Sequence, residues 1–207
     1  MKFLVPKKPK GRVRYLTRPE AKRLLQAAEL PYLADFIELA LNTGCRKGEL
    51  LNLKWENIDF STRLIYLDQT KSGDWQTVPI NEEARQVLVR RMRLREQICP
   101  NSRWVFFHMV PALNSKVGDR VKNIRRSFKS ACNRAGIENF RIHDLRHTFA
   151  SWLVMKGVPV FEVSKLLRHA SVQMTERYAH LAPDHLHDAV ASIKFSAHDK
   201  FGAERGQ

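Results

Sequence analysis

Residues 141–157, RIHDLRHTFASWLVMKG, combine a helical pattern with a dense group of basic side chains. Gly157 closes the pattern, which predicts a helix over 141–156. His143 and Arg146 lie three residues apart and therefore share one face of this helix. An imidazole beside a guanidinium can hold one phosphate, because the planar arginine fork donates two parallel hydrogen bonds. An isolated H-x-x-R pair also occurs on ordinary basic helices, so the interpretation depends on the rest of the chain.

His147 follows His143 by four residues, a spacing that zinc ligands also use. The zinc motif H-E-x-x-H needs a glutamate after its first histidine, and this stretch has none there. The cysteines Cys45, Cys99 and Cys132 are far apart and form no C-x-x-C pair. The sequence therefore predicts no metal site and no disulfide framework, and a reducing cytoplasm is the compartment that fits best.

Charge is the most distinctive property of the whole chain. Its 207 residues include 36 Lys and Arg against 21 Asp and Glu, for a formal net charge of +15. This excess favours a polyanion as partner, and nucleic acid is the commonest one. No apolar run is long enough to span a bilayer, and the first residues do not resemble a signal peptide. We therefore expect no membrane association.

Further helices are predicted on both sides of residues 141–157. Thr17-Arg18-Pro19-Glu20 is a capping box that begins a helix running through 21–28. The other predicted helices cover 32–43 (ended by Gly44), 46–53, 81–96 (capped by Asn81), about 117–135, 160–169, 171–181 and 184–193.

The predicted strands are few and short. RLIYLD (63–68) and WQTVPI (75–80) flank a tip with Ser72-Gly73-Asp74, which predicts a β-hairpin. WVFF (104–107) is predicted as a third strand, and residues 56–59 as a turn. The predicted fold class is α+β, mainly α-helical, with one small three-stranded antiparallel sheet.

Breaking a phosphodiester without a metal requires cations on the phosphate oxygens, a nucleophile, and an acid for the leaving oxygen. Arg46 lies between a helix end at Gly44 and the start of the next helix, where backbone donors favour an anion. Glu49, one turn later, can orient it. Lys71 in the hairpin could protonate a leaving oxygen. Tyr178 could attack if neighbouring cations stabilise its phenolate. Each of these residues alone is equally compatible with a surface or packing role.

Four segments taken together closely resemble the catalytic domain of tyrosine recombinases, the phage integrase family. They are TGCRKGELLNLKWENID (43–59), TKSGDWQTVPI (70–80), HDLRHTFAS (143–151) and LLRHASVQMTERYAHL (166–181). The resemblance runs from about residue 16 to residue 181, with the motifs in the family's order and at compatible spacing. It implies the fold of that catalytic domain.

The resemblance also implies a reaction. Tyr178 would form a covalent bond to a 3′ phosphate of DNA and release a 5′-hydroxyl, with Lys71 as general acid. The residues expected around the scissile phosphate are Arg46, Lys71, His143, Arg146 and His169. Glu49 and His147 are expected to support them. No cofactor is implied, because the protein–DNA bond conserves the energy needed for rejoining.

The sequence departs from the family pattern at several points. Arg168 stands where the family usually has glycine, and its side chain is expected either to crowd the site or to contact a phosphate. Gly48 replaces a small polar residue, and the tip at 72–74 lacks a second basic residue. The helical domain that precedes this catalytic domain in the family is missing, which indicates either an excised catalytic domain or a minimal recombinase.

Three parts are expected: a basic arm over 1–14, a catalytic domain over 15–182, and a helix with a tail over 183–207. The arm is either a plain linker or a DNA contact. The residues expected to bind DNA are Lys7, Lys8, Lys10, Arg12 and Arg14 in the arm, and Arg168. Leu186, Ala189, Val190 and Ile193 give the tail helix an apolar face that would pack in cis or on a neighbouring subunit.

The function implied by the resemblance is that of a site-specific recombinase, an integrase encoded by a phage or mobile element and acting in a bacterial cytoplasm. Two alternatives stay open: a type IB topoisomerase-like enzyme, and a DNA-binding regulator without activity. The expected partners are double-stranded DNA and further copies of the chain, forming a dimer or tetramer on DNA. Accessory DNA-bending proteins are further candidates.

Overall fold

The computed structural model describes residues 13–67, 76–111, 114–183 and 190–193. Within these ranges the α-helices are α1 (Arg18–Gln26), α2 (Pro31–Thr43), α3 (Lys47–Leu51), α4 (Glu82–Ile98), α5 (Arg125–Arg134), α6 (Asp144–Met155) and α7 (Val160–Leu167). The strands are β1 (Ile58–Asp59), β2 (Leu64–Leu67) and β3 (Gln76–Pro79). Short 3-10 helices cover Trp55–Asn57, Val172–Met174 and Glu176–Leu181. The expected fold class, mainly helical with a small antiparallel sheet, is confirmed.

Several helix boundaries follow directly from capping residues. The Thr17 hydroxyl accepts from the backbone N–H of Glu20, whose carboxylate accepts from the Thr17 N–H, so the predicted capping box begins α1. Asn81 caps α4 by accepting from the N–H of Ala84. α2 ends at Gly44, whose φ of 62° lies in the left-handed region that glycine tolerates.

The sheet has the order β1-β2-β3, with both pairs antiparallel. β2 and β3 are the predicted hairpin strands, while the tip of the hairpin lies outside the described residues. The predicted third strand at 104–107 is wrong. Its place is taken by β1, which comes from the segment predicted as a turn.

The reason for this error is the burial of residues 104–107. Val105, Phe106 and Phe107 are all fully buried, so consecutive side chains of this segment pack in the interior. It makes only isolated bridges, at Trp104 and Phe107, instead of a ladder. A short apolar run of this kind does not distinguish a strand from other buried chain.

Two predicted helices are also corrected. The helix expected over about 117–135 begins only at Arg125, because residues 117–124 form irregular chain. Residues 171–181, expected to be one helix, form two 3-10 helices separated at Thr175. The predicted tail helix over 184–193 lies outside the described residues except at 190–193.

Two apolar clusters support the site. The larger draws on α1, α2, α4, α5 and the sheet, and the smaller contains Ala150, Val154, Val163, Leu167 and Tyr178. α2 packs against both α4 and α6, so the end of α2 at Gly44 lies beside α6. In the described ranges, no helix combines the length and apolar character needed to cross a bilayer.

Candidate active site

Arg146 lies at the centre of the candidate site, on α6, with only 3% of its surface exposed. Its Nη1 donates to the carbonyl oxygen of Gly44 at 2.7 Å, and its Nη2 donates to that of Leu167. Burial, and then the nearby charge of Arg46, lower its pKa to about 10. Among the described residues, no carboxylate lies within ion-pair distance of its guanidinium. A buried cation of this kind is suited to an anion from outside the chain.

Arg46 stands at the start of α3, and its side chain is 43% exposed. Its Nη1 contacts Glu49 Oε1 at 2.7 Å, and its backbone N–H donates to Glu49 Oε2 at 2.7 Å. The helix start was expected to offer backbone donors to an anion, but Glu49 already occupies the Arg46 N–H. The guanidinium of Arg46 is therefore one group at this helix start that can reach a ligand, and Lys47 beside it also lines the groove described below.

Glu49 also accepts from Nη2 of Arg168 at 2.6 Å. Burial acts to raise the pKa of Glu49, but the Arg168 charge and the hydrogen bonds from Arg46 outweigh it, and the net pKa is lowered. Glu49 is thus an ionised carboxylate that two arginines share. The side chain of Arg168 is 5% exposed and directed at Glu49.

Two histidines line the same site. His143 is the N-cap of α6, and burial followed by the charge of Arg146 lowers its pKa. His169 follows α7, and its Nδ1 shares a hydrogen bond of 2.7 Å with Oγ1 of the buried Thr175. Burial, and then Arg146, lower the pKa of His169 to about 4. Both rings are therefore neutral at pH 7 and can donate or accept a hydrogen bond.

Tyr178 is enclosed in the smaller apolar cluster, with 1% of its surface exposed. Its hydroxyl is hydrogen-bonded to Nδ1 of His147. Burial raises the pKa of the phenol to about 12, while the charges of Arg177 and Arg146 act in the opposite direction. The pKa of His147 is lowered to about 4 by burial and then by His143. Near neutral pH, a protonated phenol therefore meets a neutral imidazole.

The other sequence-predicted residues lie apart from this group or outside the described ranges. Lys71 and the arm residues Lys7, Lys8, Lys10 and Arg12 lie outside the described residues. Arg14 contacts Glu20 at 2.7 Å and lies 5.6 Å from the centre of the Phe140 ring, so its side chain is held on its own domain.

Sequence reasoning missed the groups that hold the site together. The carbonyl oxygens of Gly44 and Leu167 fix Arg146, and Thr175 fixes His169. Backbone carbonyls leave no trace in a sequence. Thr175 lies six residues after His169, between two short 3-10 helices, where no α-helical or strand spacing could have indicated it.

A groove of about 1110 Å³ opens beside Arg46 and His143. α3 and α5 contribute to its walls together with residues 136–143. Its basic lining residues, besides those two, are Lys47, Arg125, Lys129 and Arg141. Among the described residues, no group of His, Cys, Asp and Glu side chains could hold a metal ion. The arrangement is a cationic site around Arg146, whose members Arg46 and His143 also line a basic groove.

The fold and this site define a tyrosine recombinase catalytic domain. The chain belongs to the phage integrase family, whose sequence profile matches residues 14–185. It is 36% identical over 198 residues to the integrase of Salmonella phage P22, covering 91% of this chain and 49% of that integrase. This chain thus spans about half the length of that relative.

Solved structures agree with this family assignment. The crystal structure of XerA recombinase matches with a TM-score of 0.70 and 30% identity, over 90% of this chain and 66% of that one. The catalytic domain of bacteriophage HP1 integrase matches with a TM-score of 0.64 and 30% identity, over 87% of this chain and 95% of that domain. The resemblance noted in the sequence is therefore confirmed.

Proposed function

We propose that this chain is the catalytic part of a site-specific DNA recombinase of the integrase type, which cleaves and rejoins DNA through a 3′-phosphotyrosyl bond at Tyr178. The observation that carries the proposal is the buried Arg146, which has no carboxylate partner among the described residues. Arg46 lies close enough to lower the pKa of Arg146, and Arg146 lies close enough to lower the pKa of His143 and of His169. A phosphodiester is the anion that these groups fit.

The proposed chemistry begins with the phosphate held by Arg46 and Arg146. Their charges are in place before the reaction, so they stabilise the additional negative charge of the transition state without reorganisation. The neutral rings of His143 and His169 add hydrogen bonds to the phosphate oxygens.

In the cleavage step, the Tyr178 oxygen forms a bond to phosphorus as the bond from phosphorus to the 5′ oxygen breaks. The phenol gives its proton to a neutral imidazole of the site, a role we assign to His169, and the leaving 5′ oxygen takes a proton from Lys71. Rejoining is the same exchange in reverse, with a 5′-hydroxyl as the nucleophile. Because the phenol is buried beside His147, attack requires the segment Glu176–Leu181 to move outward.

Double-stranded DNA is the proposed substrate and partner. The net charge of +15 and the basic groove that leads to Arg46 both support it. Family membership favours recombination over a type IB topoisomerase-like reaction or an inactive regulator, since the matches are to integrases and recombinases. The proposed place of action is the cytoplasm of a bacterial cell.

Self-association on DNA completes the proposal. A dimer or tetramer would bring two DNA sites together, and accessory DNA-bending proteins could assist. We assign 1–14 to a basic arm, 15–182 to the catalytic domain and 183–207 to a helix and tail that would dock in cis or on a neighbouring subunit.

The test is to trap the covalent intermediate. The DNA flanking the gene is used to prepare nicked duplexes, so that the cleaved strand diffuses away and an adduct accumulates. Peptide mapping of the adduct should place the nucleotide on Tyr178, and Tyr178→Phe should form none while still binding the duplex. Tyr32→Phe, in α2, is the matched control and should react normally. An adduct on another residue, or one that survives in Tyr178→Phe, contradicts the proposal.

A further inference from the structure

Arg168 has a backbone conformation that arginine rarely adopts. It is the C-cap of α7, with φ 54° and ψ 47°, in the left-handed region that favours glycine. An L side chain is less stable there than glycine, so backbone preference does not explain this arginine. The explanation must lie in what its side chain contacts.

Those contacts link two distant parts of the chain. Nη2 of Arg168 lies 2.6 Å from Oε2 of Glu49, which is 119 residues earlier in sequence. Nη1 donates to the carbonyl oxygen of Leu166 at 3.0 Å, and the side chain is 5% exposed. The guanidinium is therefore tied to its own helix at one end and to α3 at the other.

Glu49 also contacts Arg46. Its Oε1 contacts Nη1 of Arg46 at 2.7 Å, and its Oε2 accepts from the backbone N–H of Arg46 at 2.7 Å. The side chain of Arg46 is 43% exposed, and its ion pair with Glu49 restricts its guanidinium. If Arg168 were absent, Glu49 would lose the charged donor to its Oε2.

The charges of these three side chains also indicate that Arg168 supports Arg46. With Arg46 alone, the carboxylate of Glu49 would neutralise the cation meant for the phosphate. With Arg168 as a second partner, the three side chains together carry one net positive charge. Arg168 thereby compensates Glu49 beside the phosphate site without occupying it, and the site keeps its attraction for an anion.

We propose that Arg168 is a positioning residue, which fixes the guanidinium of Arg46 through Glu49 in readiness for the phosphate. The inference rests on the proposed function, because it assumes that Arg46 binds phosphate. It depends on two observed contacts, Arg168–Glu49 and Glu49–Arg46, which connect the end of α7 to the start of α3.

The experiment uses the full chain labelled with ¹⁵N and ¹³C, and inorganic phosphate as the probe. Arginine side-chain NMR reports rotation of the Arg46 guanidinium, and titration reports phosphate affinity. In Arg168→Met, Arg46 should rotate faster and phosphate should bind about tenfold more weakly, the size expected for loss of an ordered charged contact. Arg168→Lys should recover part of both effects, since it keeps the charge but not the fork.

Three further comparisons test whether the effect passes through Glu49. Arg168→Gly removes the side chain and suits the left-handed backbone, so it stays folded and should reproduce Arg168→Met. In a Glu49→Ala background, Arg168→Met should change Arg46 no further, because the connecting carboxylate is already gone. Lys165→Met, at an exposed position of the same helix, should leave both readouts unchanged.

Three results would overturn the inference. If Arg46 and phosphate affinity are unchanged in Arg168→Met, the Arg168–Glu49 contact is only a structural ion pair. If affinity falls while Arg46 rotation is unchanged, Arg168 acts through its charge or by contacting the phosphate, and not by positioning Arg46. If the effect persists in Glu49→Ala, the route is not through Glu49. A wild type that does not bind phosphate at Arg46 at all would instead contradict the proposed function.

Discussion

The hydroxyl of Tyr178 is hydrogen-bonded to Nδ1 of His147, in a part of the domain that excludes solvent from the phenol. His147 follows Arg146 directly in α6, so one helix holds both the central cation and the partner of the proposed nucleophile. In this state the phenol is protonated and its hydroxyl is satisfied within the protein. The hydrogen bond therefore favours a resting arrangement, and under the proposed function DNA must displace it before Tyr178 attacks.

This relationship predicts energetic coupling between the two residues. His147→Leu leaves the buried hydroxyl without an acceptor and should lower the free energy of unfolding by about 1–3 kcal/mol. In a Tyr178→Phe background the same change should cost about 1 kcal/mol less, because no hydroxyl is left unsatisfied. Urea denaturation of the four proteins measures the coupling. Strictly additive losses would show that the hydrogen bond contributes no stability.

Gly44 gives a second prediction, because its backbone and its surroundings both require glycine. Its φ is 62°, and an added Cβ would lie 2.4 Å from Cδ1 of Phe149. Gly44→Ala should therefore lower the free energy of unfolding by more than the ~1 kcal/mol of the backbone conformation alone. It should also lower the rate of DNA cleavage, since the Gly44 carbonyl oxygen accepts a hydrogen bond from Arg146 and helps to position it.

Gly48→Ala is the matched control for Gly44→Ala. Gly48 lies within α3, and an added Cβ would meet nothing within 4 Å. Alanine is favoured over glycine by up to about 1 kcal/mol inside a helix, so this change should be neutral or stabilising. Thermal and urea unfolding of both variants provide the comparison. Equal losses of unfolding free energy in the two variants would contradict the conclusion that position 44 requires glycine.

Local signals made much of the fold predictable. The capping box at Thr17 and the end of α2 at Gly44 depend on neighbours within a few residues, and both were predicted correctly. The position of the third strand was not, because a short buried run such as 104–107 has no period that separates a strand from interior chain. β1 has only two residues and depends on its pairing with β2.

For the site, the sequence indicated residue types but not their partners. Arg168 was expected to crowd the site or contact a phosphate, and the sequence did not indicate that its side chain pairs with Glu49. His147 was expected only as a supporting residue, and its bond to Tyr178 could not be read from the sequence. Both contacts join segments far apart in sequence, and one sequence alone contains no measure of such proximity.

Arg146→Lys tests the central cation. Lysine keeps the charge, but it cannot donate to the Gly44 and Leu167 carbonyls as the two Nη groups of arginine do. DNA binding should change little, whereas single-turnover adduct formation should fall by about 10²–10³, as when one preorganised donor is removed. Arg93→Lys, at an exposed position of α4, is the control. Near-normal cleavage by Arg146→Lys would argue against the phosphate-holding role.

The histidines predict how stability depends on pH. Burial lowers the pKa of His147 and His169 from 6.5 to about 4, so the unfolded chain binds more protons than the folded one between these values. The contribution of these two histidines to the free energy of unfolding is therefore fully present above pH 6.5 and is lost as pH falls through 4. His147→Asn and His169→Asn should each reduce this loss, measured by urea denaturation from pH 7 to pH 4. His180→Asn, at an exposed position, should leave it unchanged.

The basic groove beside Arg46 and His143 predicts the salt dependence of DNA binding. Arg125 and Lys129 lie on α5 and line this groove, but neither is within the group around Arg146. If each neutralises one phosphate, the slope of log affinity against log salt becomes shallower by about 0.9 for each one removed. Arg125→Ala and Lys129→Ala should thus each weaken binding to any duplex, with similar losses for different sequences.

Fluorescence titration of a labelled duplex, repeated across a salt series, measures these slopes. Arg93→Ala removes a charge from an exposed position of α4 that does not line the groove, so it separates a local contact from the effect of net charge alone. Its slope should match that of the wild type. Equal changes in all three variants would show that binding depends on total charge, and the groove would then not be the path of the DNA.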